Sequence, residues 1–341
     1  MAQRIRKLPP RNARRKIASG VEGVVICSAL AVIEIAISWL HYAYWELRES
    51  INLQAEQITK KMESKLFVIT LLLLFTHLPA HGQTKIKWFG HAAFSITTPK
   101  GKVLLIDPWL SNPVNPEAKD GKDPLATLGR VDYILLTHGH RDHVGEAVEI
   151  ARKTGAALVT NPELAGNLVK LVDFPKAQAE TDAIMGIGGE IQIADGEVMV
   201  AMTPAVHTSS VFNPKAGPNE PERAYGGSPA GFVIKIQNGP TIYHSGDTAY
   251  FSDMATIGEM YPIDVALLNI GGHFGMEPKM AAKAAAVMHA KLAIPHHFGT
   301  SPGMTPNSRS FSDELQRLNI KFREMKPGET IAFKGPRLAG T

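Results

Sequence analysis

Val131-Asp132-Tyr133-Ile134-Leu135-Leu136-Thr137-His138-Gly139-His140-Arg141-Asp142-His143 is the stretch that decides how this chain is read. Its first six residues form a short, apolar, β-rich run, and Val144 to Lys153 beyond it carries the periodicity of an amphipathic helix. Three imidazoles and a carboxylate therefore occupy a strand-to-helix loop. Packing is a poor account of them, because clustered polar groups need partners. Two residues apart on extended backbone, His138 and His140 can face one side and grip a single ion, leaving Asp142 and His143 to face a second position. Neutral imidazoles with a carboxylate suit zinc, with manganese or iron(II) as substitutes, and an ion so held acidifies water to a pKa of about 7. The single cysteine, Cys27, lies far from this stretch, so no thiolate joins the donors and no intramolecular disulfide can form.

Working outward, further chemistry-bearing residues follow in order: Ile106-Asp107-Pro108, then Thr203-Pro204-Ala205-Val206-His207-Thr208-Ser209, Ser245-Gly246-Asp247-Thr248, and Ile294-Pro295-His296-His297-Phe298-Gly299-Thr300. With the His-x-His-x-Asp-His core, these five motifs resemble the metallo-β-lactamase superfamily, and the resemblance covers about residues 84 to 335. Gly90-His91-Ala92, Ile242 to Thr248, and Ile270-Gly271-Gly272-His273-Phe274 look like one branch of it, the metal-dependent hydrolases related to the ascorbate-6-phosphate lactonases. The resemblance implies an α/β fold, the four-layer αββα sandwich, with two divalent metal ions, zinc foremost, at the rim between two sheets. It implies that His138, His140 and His207 hold the first ion, Asp142, His143 and His297 the second, and that Asp247 bridges them. Asp142 and Asp247 are then also catalytic candidates, Asp142 as a proton shuttle.

His296 and His297 point opposite ways at a strand end, so at most one is an easy ligand, and the family pattern selects His297. Asp107 is expected behind the ligands, orienting a histidine. His91 and His273, both in glycine-flanked loops, are candidates for substrate contact or proton transfer, weighed against hydrogen-bonded structural roles. His91 and His296 are accordingly placed beside the metal ligands, and His273 among the catalytic residues. His244 is expected as a satisfied core histidine, and His289 as a helix-terminal residue.

Within the domain the pattern predicts strands over Lys85–Phe89, Ala93–Ile96, Val103–Ile106, 157–159, 191–193, 198–202, 231–236, 241–244, 265–268 and 292–294. Helices are expected from Val144 to Lys153, from near Pro162, from Phe251 to Met260 and from Pro278 to His289. Asn213 to Ser228, rich in Pro, Gly and charge, reads as a long loop and a candidate lid, with Arg223 and Tyr225 as candidate substrate contacts.

The net charge of +4 conceals a split. Residues 1–61 carry 10 Lys/Arg against 5 Asp/Glu, whereas residues 83–341 carry 25 against 26. The near-neutral catalytic part offers no footing for a nucleic-acid groove. Residues 1–61 are read as a basic and apolar extension, either an overextended start or a membrane anchor through Val24 to Leu40. Glu34 within that run would cost roughly 2.5 to 3.5 kcal/mol on insertion scales. Residues 62–82, from Met62 through the apolar Leu66 to Leu78 and a cut after Gly82, look like a signal peptide. Residues 83–341 are the expected hydrolase domain. Periplasmic or secreted localisation follows if the signal acts, and a membrane-anchored or cytoplasmic enzyme if both runs span.

The functional expectation is a metal-dependent hydrolase acting on a small-molecule ester, lactone or phosphodiester. A metallo-nuclease fits the domain charge poorly, and a classical β-lactamase fits the finer motifs poorly. A non-enzymatic metal-binding module would leave a complete ligand set with an open water position unused. Membrane contact is expected only through the N-terminal segments, and the oligomeric state is not legible.

Overall fold

Alternating apolar positions on successive strands put one set of side chains into each of two layers, and this sorts the fold. The computed structural model describes residues 21–76 and 82–340, with side chains at 33–67 and 82–340. The chain divides into two compact units, residues 1–79 and 80–341. Among the described residues the first contains one helix, α1 (Val21–Thr76), whose large apolar residues from Ile33 to Phe67, Trp39 and Tyr44 among them, are exposed. That helix runs unbroken through Met62 and both apolar runs, up to Thr76. Among the described residues no helix is long and apolar enough to cross a membrane. Residues 77–81, ahead of the expected cut after Gly82, lie outside the described residues.

The second unit contains two seven-stranded sheets. The first is built from β1 (Thr84–Gly90), β2 (Ala93–Thr97), β3 (Val103–Ile106), β4 (Tyr133–Leu135) and β5 (Ala157–Val159), closed by β15 (Thr330–Lys334) and β16 (Arg337–Leu338), in the order β16-β15-β1-β2-β3-β4-β5. The second contains β6 (Glu190–Ile193), β7 (Val198–Pro204), β10 (Ala230–Ile236), β11 (Thr241–His244), β12 (Val265–Asn269), β13 (Leu292–His296) and β14 (Lys321–Phe322), in the order β14-β13-β12-β11-β10-β7-β6. Between β7 and β10 the chain makes a separate hairpin, β8 (Ser210–Phe212) with β9 (Arg223–Tyr225).

Leu104 and Ile106 of β3 point inward with Phe94, Phe232, Leu267 and Ile294, forming the core between the sheets. Leu105 points outward with Ile134 and packs beneath α3 (Ala147–Thr154) and α4 (Pro162–Val172). On the far side Tyr243, Ala266 and Leu268 meet α6 (Met254–Met260), α7 (Pro278–Val287) and α8 (Arg309–Arg317). Short helices α2 (Arg141–Val144) and α5 (Lys176–Ala179) complete the first side. This is the αββα sandwich. Each helix covers a sheet face with one stripe: in α3, Val148, Ile150 and Ala151 are buried while Glu149, Arg152 and Lys153 are exposed.

The expected helix over Val144–Lys153 is two helices. The chain turns at Gly145, with φ +45°, where a Cβ would lie 2.4 Å from the Pro108 carbonyl oxygen and the Trp109 Cα. No side chain fits there, so α2 is a separate turn that aims Asp142 and His143. The helix expected from Phe251 begins at Met254. The one expected to end at His289 ends at Val287, and His289 takes up φ +53°, the left-handed conformation common just past a helix end. The loop expected over Asn213–Ser228 is in part the hairpin, since β9 lies within it.

Candidate metal centre

Every chemistry-bearing motif ends at the same rim. His138 and His140 follow β4, His207 stands three residues beyond β7, Asp247 follows β11, and His297 follows β13. His91 joins them from the β1–β2 turn. The loops are tied to each other. Thr248 Oγ1 accepts from the Val206 N–H at 2.9 Å, and Ala249 N–H donates to the Val206 carbonyl at 3.0 Å, fixing the His207 loop against that of Asp247. Gly246 allows the close approach: at φ +55° its Cβ would fall 2.6 Å from the Ala230 carbonyl oxygen and 2.8 Å from Thr137 Cβ. His297 N–H donates to the His91 carbonyl at 3.0 Å, and both residues sit at positive φ, +58° and +51°. Asp107, at φ +45°, is a third such residue here, and strain of this kind persists only where surrounding structure enforces it.

Three overlapping donor groups result, each with its ligand atoms within 4.8 Å of one another: His138 with His140 and His207; His91 with Asp142, His143 and His297; and His138 with His143 and Asp247. His138 Nε2 and His140 Nδ1 face each other at 2.9 Å. Asp142 Oδ2 lies 3.0 Å from His91 Nε2 and 3.6 Å from His297 Nε2. Asp247 Oδ2 lies 3.1 Å from His297 Nε2, 3.2 Å from His143 Nε2 and 3.7 Å from His207 Nε2, which places it between the groups.

Two of these approaches, His138 to His140 and His91 to Asp142, are hydrogen bonds, but others are not. His143 Nε2, His297 Nε2 and Asp247 Oδ1 are buried without a hydrogen-bond partner. Buried polar atoms seldom go unsatisfied, and donors converging on a common point without alignment to each other fit a cation between them. The donor set therefore suits a metal.

Behind the donors, Asp107 Oδ2 accepts from His143 Nδ1 at 2.7 Å and from Thr137 Oγ1 at 2.7 Å, while Oδ1 accepts from Thr137 N–H at 2.9 Å. The carboxylate thus turns His143 Nε2 toward the site. His91 Nδ1 is held by Thr300 Oγ1 at 2.7 Å, and the Trp109 ring stands edge-on 4.9 Å from the imidazole. His296 points away from the donors. It stacks on His244 at 4.7 Å, with its Nε2 3.3 Å from Ser245 Oγ. His244 is satisfied on both nitrogens, by the Ala92 carbonyl and the Gly246 N–H.

The two main groups differ in charge. Burial lowers His138 well below the usual histidine value, and burial followed by neighbouring imidazoles lowers His140; burial lowers His207 too. In the other group burial opposes charge on His143 and His297 but is outweighed, by Asp247 and Asp107 for His143 and by Asp247 and Asp142 for His297. His143 is raised well above its usual value and His297 to about 9. Asp142 and Asp247 are held far below the carboxylate range, since imidazoles outweigh the burial that would raise them. His91, by burial and then by His297, is pushed down to about 4.

Of the residues expected from sequence, His138, His140, Asp142, His143, His207, Asp247 and His297 come together, with Asp107 behind them. His91, expected beside the ligands, lies among the donors; its glycine-flanked turn was the only sequence feature that hinted at this. His273 is exposed, and its ring contact is with Phe274, so nothing connects it to the cluster. Arg223 and Tyr225 are exposed on the hairpin, reaching Ser210 and Ser228, and neither lines the cleft beside Asp142. Phe212 and Lys215 supply that wall instead. Thr137, Thr300 and Trp109 were not singled out, because hydroxyls and a tryptophan carry no motif of their own.

The sequence profile described as "Beta-lactamase superfamily domain" matches residues 102–298. A UPF0173 metal-dependent hydrolase of Thermodesulfovibrio yellowstonii is 44% identical over 272 residues, 79% of this chain and 100% of that protein. Another from Anaeromyxobacter dehalogenans is 46% identical over 74% of this chain and 88% of its own length. Among solved structures, Igni18, a metallo hydrolase from Ignicoccus hospitalis, superposes with a TM-score of 0.62 at 32% identity, covering 74% of this chain and 98% of its own. Five motifs, an αββα sandwich and a converged His/Asp rim agree with these likenesses, and the chain belongs to the β-lactamase superfamily as a metal-dependent hydrolase.

Proposed function

We propose that the sandwich hydrolyses a small-molecule ester, lactone or phosphodiester with two divalent ions, zinc foremost and manganese or iron as substitutes. The carrying observation is the convergence of buried donors from five separate segments, with His143 Nε2, His297 Nε2 and Asp247 Oδ1 left unpartnered. His138, His140 and His207 would hold one ion, and Asp142, His143 and His297 the other, with His91 alongside and Asp247 between. Bound there, the ions acidify water and polarise the scissile oxygen, so no serine or cysteine nucleophile is needed.

The chain's own residues do the rest. Asp142 is the most open of the acidic donors, 36% exposed at the side chain, and is placed to take up the proton that the attacking water gives up. His91 fixes that carboxylate from behind. Asp107 holds His143 in one orientation, and Asp247, only 3% exposed, spans the two halves.

Full-length protein loaded with zinc or manganese should turn over a member of a panel of lactones, phosphodiesters and β-lactams, with activity rising with pH through an apparent pKa between about 6 and 8. Chelation should abolish it and added metal restore it. Activity that survives complete metal removal would overturn the proposal. A metallo-nuclease fits the near-neutral charge of residues 83–341 poorly and a classical β-lactamase fits the finer motifs poorly, and a gel shift with nucleic acid separates the first.

We also propose export: residues 62–82 act as a signal peptide and the enzyme works in the periplasm or outside the cell. Expression from Met62 in a Gram-negative host should then release a product beginning at Gln83, read by intact mass. A membrane-bound product retaining Leu66 to Leu78 would contradict it.

A further inference from the structure

Beside Asp142, the one clustered donor that lines it, lies a cleft of about 740 Å³, a size typical of small-molecule sites. One wall is the α2–α3 segment and the other is the β8–β9 hairpin with the loop that follows β8. The hairpin is fastened to the metal loop itself. Ser209 Oγ accepts from the Gly139 N–H at 3.2 Å and donates to the Gly226 carbonyl at 3.0 Å. Phe212 therefore keeps a fixed place relative to His138 and His140.

Arg141 stands between two of the metal-site residues in sequence and is exposed, with its guanidinium 4.8 Å above the Phe212 ring. The other cations of the cleft are occupied. Lys215 pairs with Asp173 at 2.6 Å, and Arg152 donates to the Asp173 carbonyl at 2.8 Å. Glu146 accepts from the Leu110 and Ser111 N–H groups and from the Ser111 hydroxyl. Asp142 faces the imidazoles. Glu149, exposed on α3, has no cation within ion-pair distance among the described residues. Arg141 is left as the cation nearest the metal rim, with no carboxylate within ion-pair distance among the described residues. The rest of the lining is apolar, from Val144, Val148, Val172 and Val211 with Phe212.

We propose that this cleft is a substrate subsite that receives an apolar or aromatic stem ending in a carboxylate, with Arg141 as the specificity-determining residue. The proposal rests on the hydrolase reading above and names its substrate class. A guanidinium offers paired donors that match a carboxylate, and an aromatic ring beneath it limits its hydration and its freedom, which strengthens the pair. The valines contact the stem. Arg141 makes no contact with the reacting bond; it fixes where that bond lies relative to Asp142.

The test uses the zinc-loaded full chain and two probes of equal shape, 4-phenylbutyrate and 4-phenylbutanamide, titrated calorimetrically. Wild type should bind the acid at least about tenfold more tightly than the amide. Arg141→Met should remove that preference while leaving amide binding and zinc content unchanged, and Phe212→Ala should weaken both probes. Equal binding of acid and amide by wild type, no detectable binding of either, or undiminished acid binding by Arg141→Met would overturn the proposal, the last showing that the metals hold the acid. Because binding is read without turnover, absence of esterase activity would count against the hydrolase reading alone.

Discussion

The triad of His138, His140 and His207 and the quartet of His91, Asp142, His143 and His297 share one rim and one donor chemistry, yet they hold protons differently. The triad contains no carboxylate of its own, and burial lowers the proton affinity of its imidazoles. In the quartet, Asp142, Asp107 and the neighbouring Asp247 hold protons on His143 and His297. An ion entering the triad should therefore release fewer protons than one entering the quartet. The difference teaches that carboxylates near a metal site have two opposed effects, adding negative charge for the ion and also raising the proton affinity of the histidines that must bind it.

The comparison breaks most completely at Asp247, which belongs to neither half and touches both. Asp247→Ala should reduce hydrolysis to the uncatalysed background and lower metal content in both groups, with the circular dichroism spectrum unchanged because the residue lies at the rim. Retained turnover would remove Asp247 from the mechanism. Asp107→Ala acts on one side only. It frees His143 Nδ1, and it should weaken the quartet's ion by about 10- to 100-fold with little effect on the triad's, measured by competition with a chelator.

Without metal, the same contrast has a stability signature. His297, raised to about 9 from 6.5, contributes stability below pH 6.5 that is lost as pH rises toward 9. His91, lowered to about 4, contributes stability above pH 6.5 that is lost as pH falls toward 4. The melting temperature of metal-free protein should therefore fall on both sides of about pH 6.5, and replacing His297 with Gln should make the alkaline limb shallower, with His143 still contributing to it, and should ease the acid limb as well, because His297 helps hold His91 down. The smallest effect is structural. Gly145→Ala forces a Cβ against Pro108 and Trp109 and should cost roughly 2 to 3 kcal/mol in unfolding free energy, loosening the turn that carries Asp142 and His143 but not His138.

The donors of both halves other than His91 could be picked out before the structure, because metal ligation demands particular residue types at particular spacings. His138 and His140 stand at ligand spacing in the sequence itself, and Asp107 was expected behind the ligands from the family resemblance. Strand periodicity likewise located β3, β5 and β11 to the residue, because buried alternation leaves little freedom. What was not legible depends on contacts distant in sequence. His91 enters the quartet only because its carbonyl receives the N–H of His297 across the rim. The break at Gly145 is imposed by Pro108 and Trp109, far upstream, and a helical pattern running through it cannot reveal that. His273 shows the converse: its glycine-flanked setting resembled that of His91, yet the fold leaves its ring against Phe274. Arg223 and Tyr225 were the expected substrate contacts, whereas Phe212, on the partner strand, lines the cleft beside Asp142 and lies under the Arg141 guanidinium.

The most direct test is the number of zinc ions per chain as a function of pH, measured by elemental analysis after equilibrium dialysis of wild type, His140→Ala and His297→Ala. Two ions should be present in wild type near pH 8 and one near pH 5.5, with the surviving ion absent from His140→Ala and kept by His297→Ala. Loss of both ions together as pH falls, or less than half an equivalent at pH 8, would contradict the account of two unequal halves.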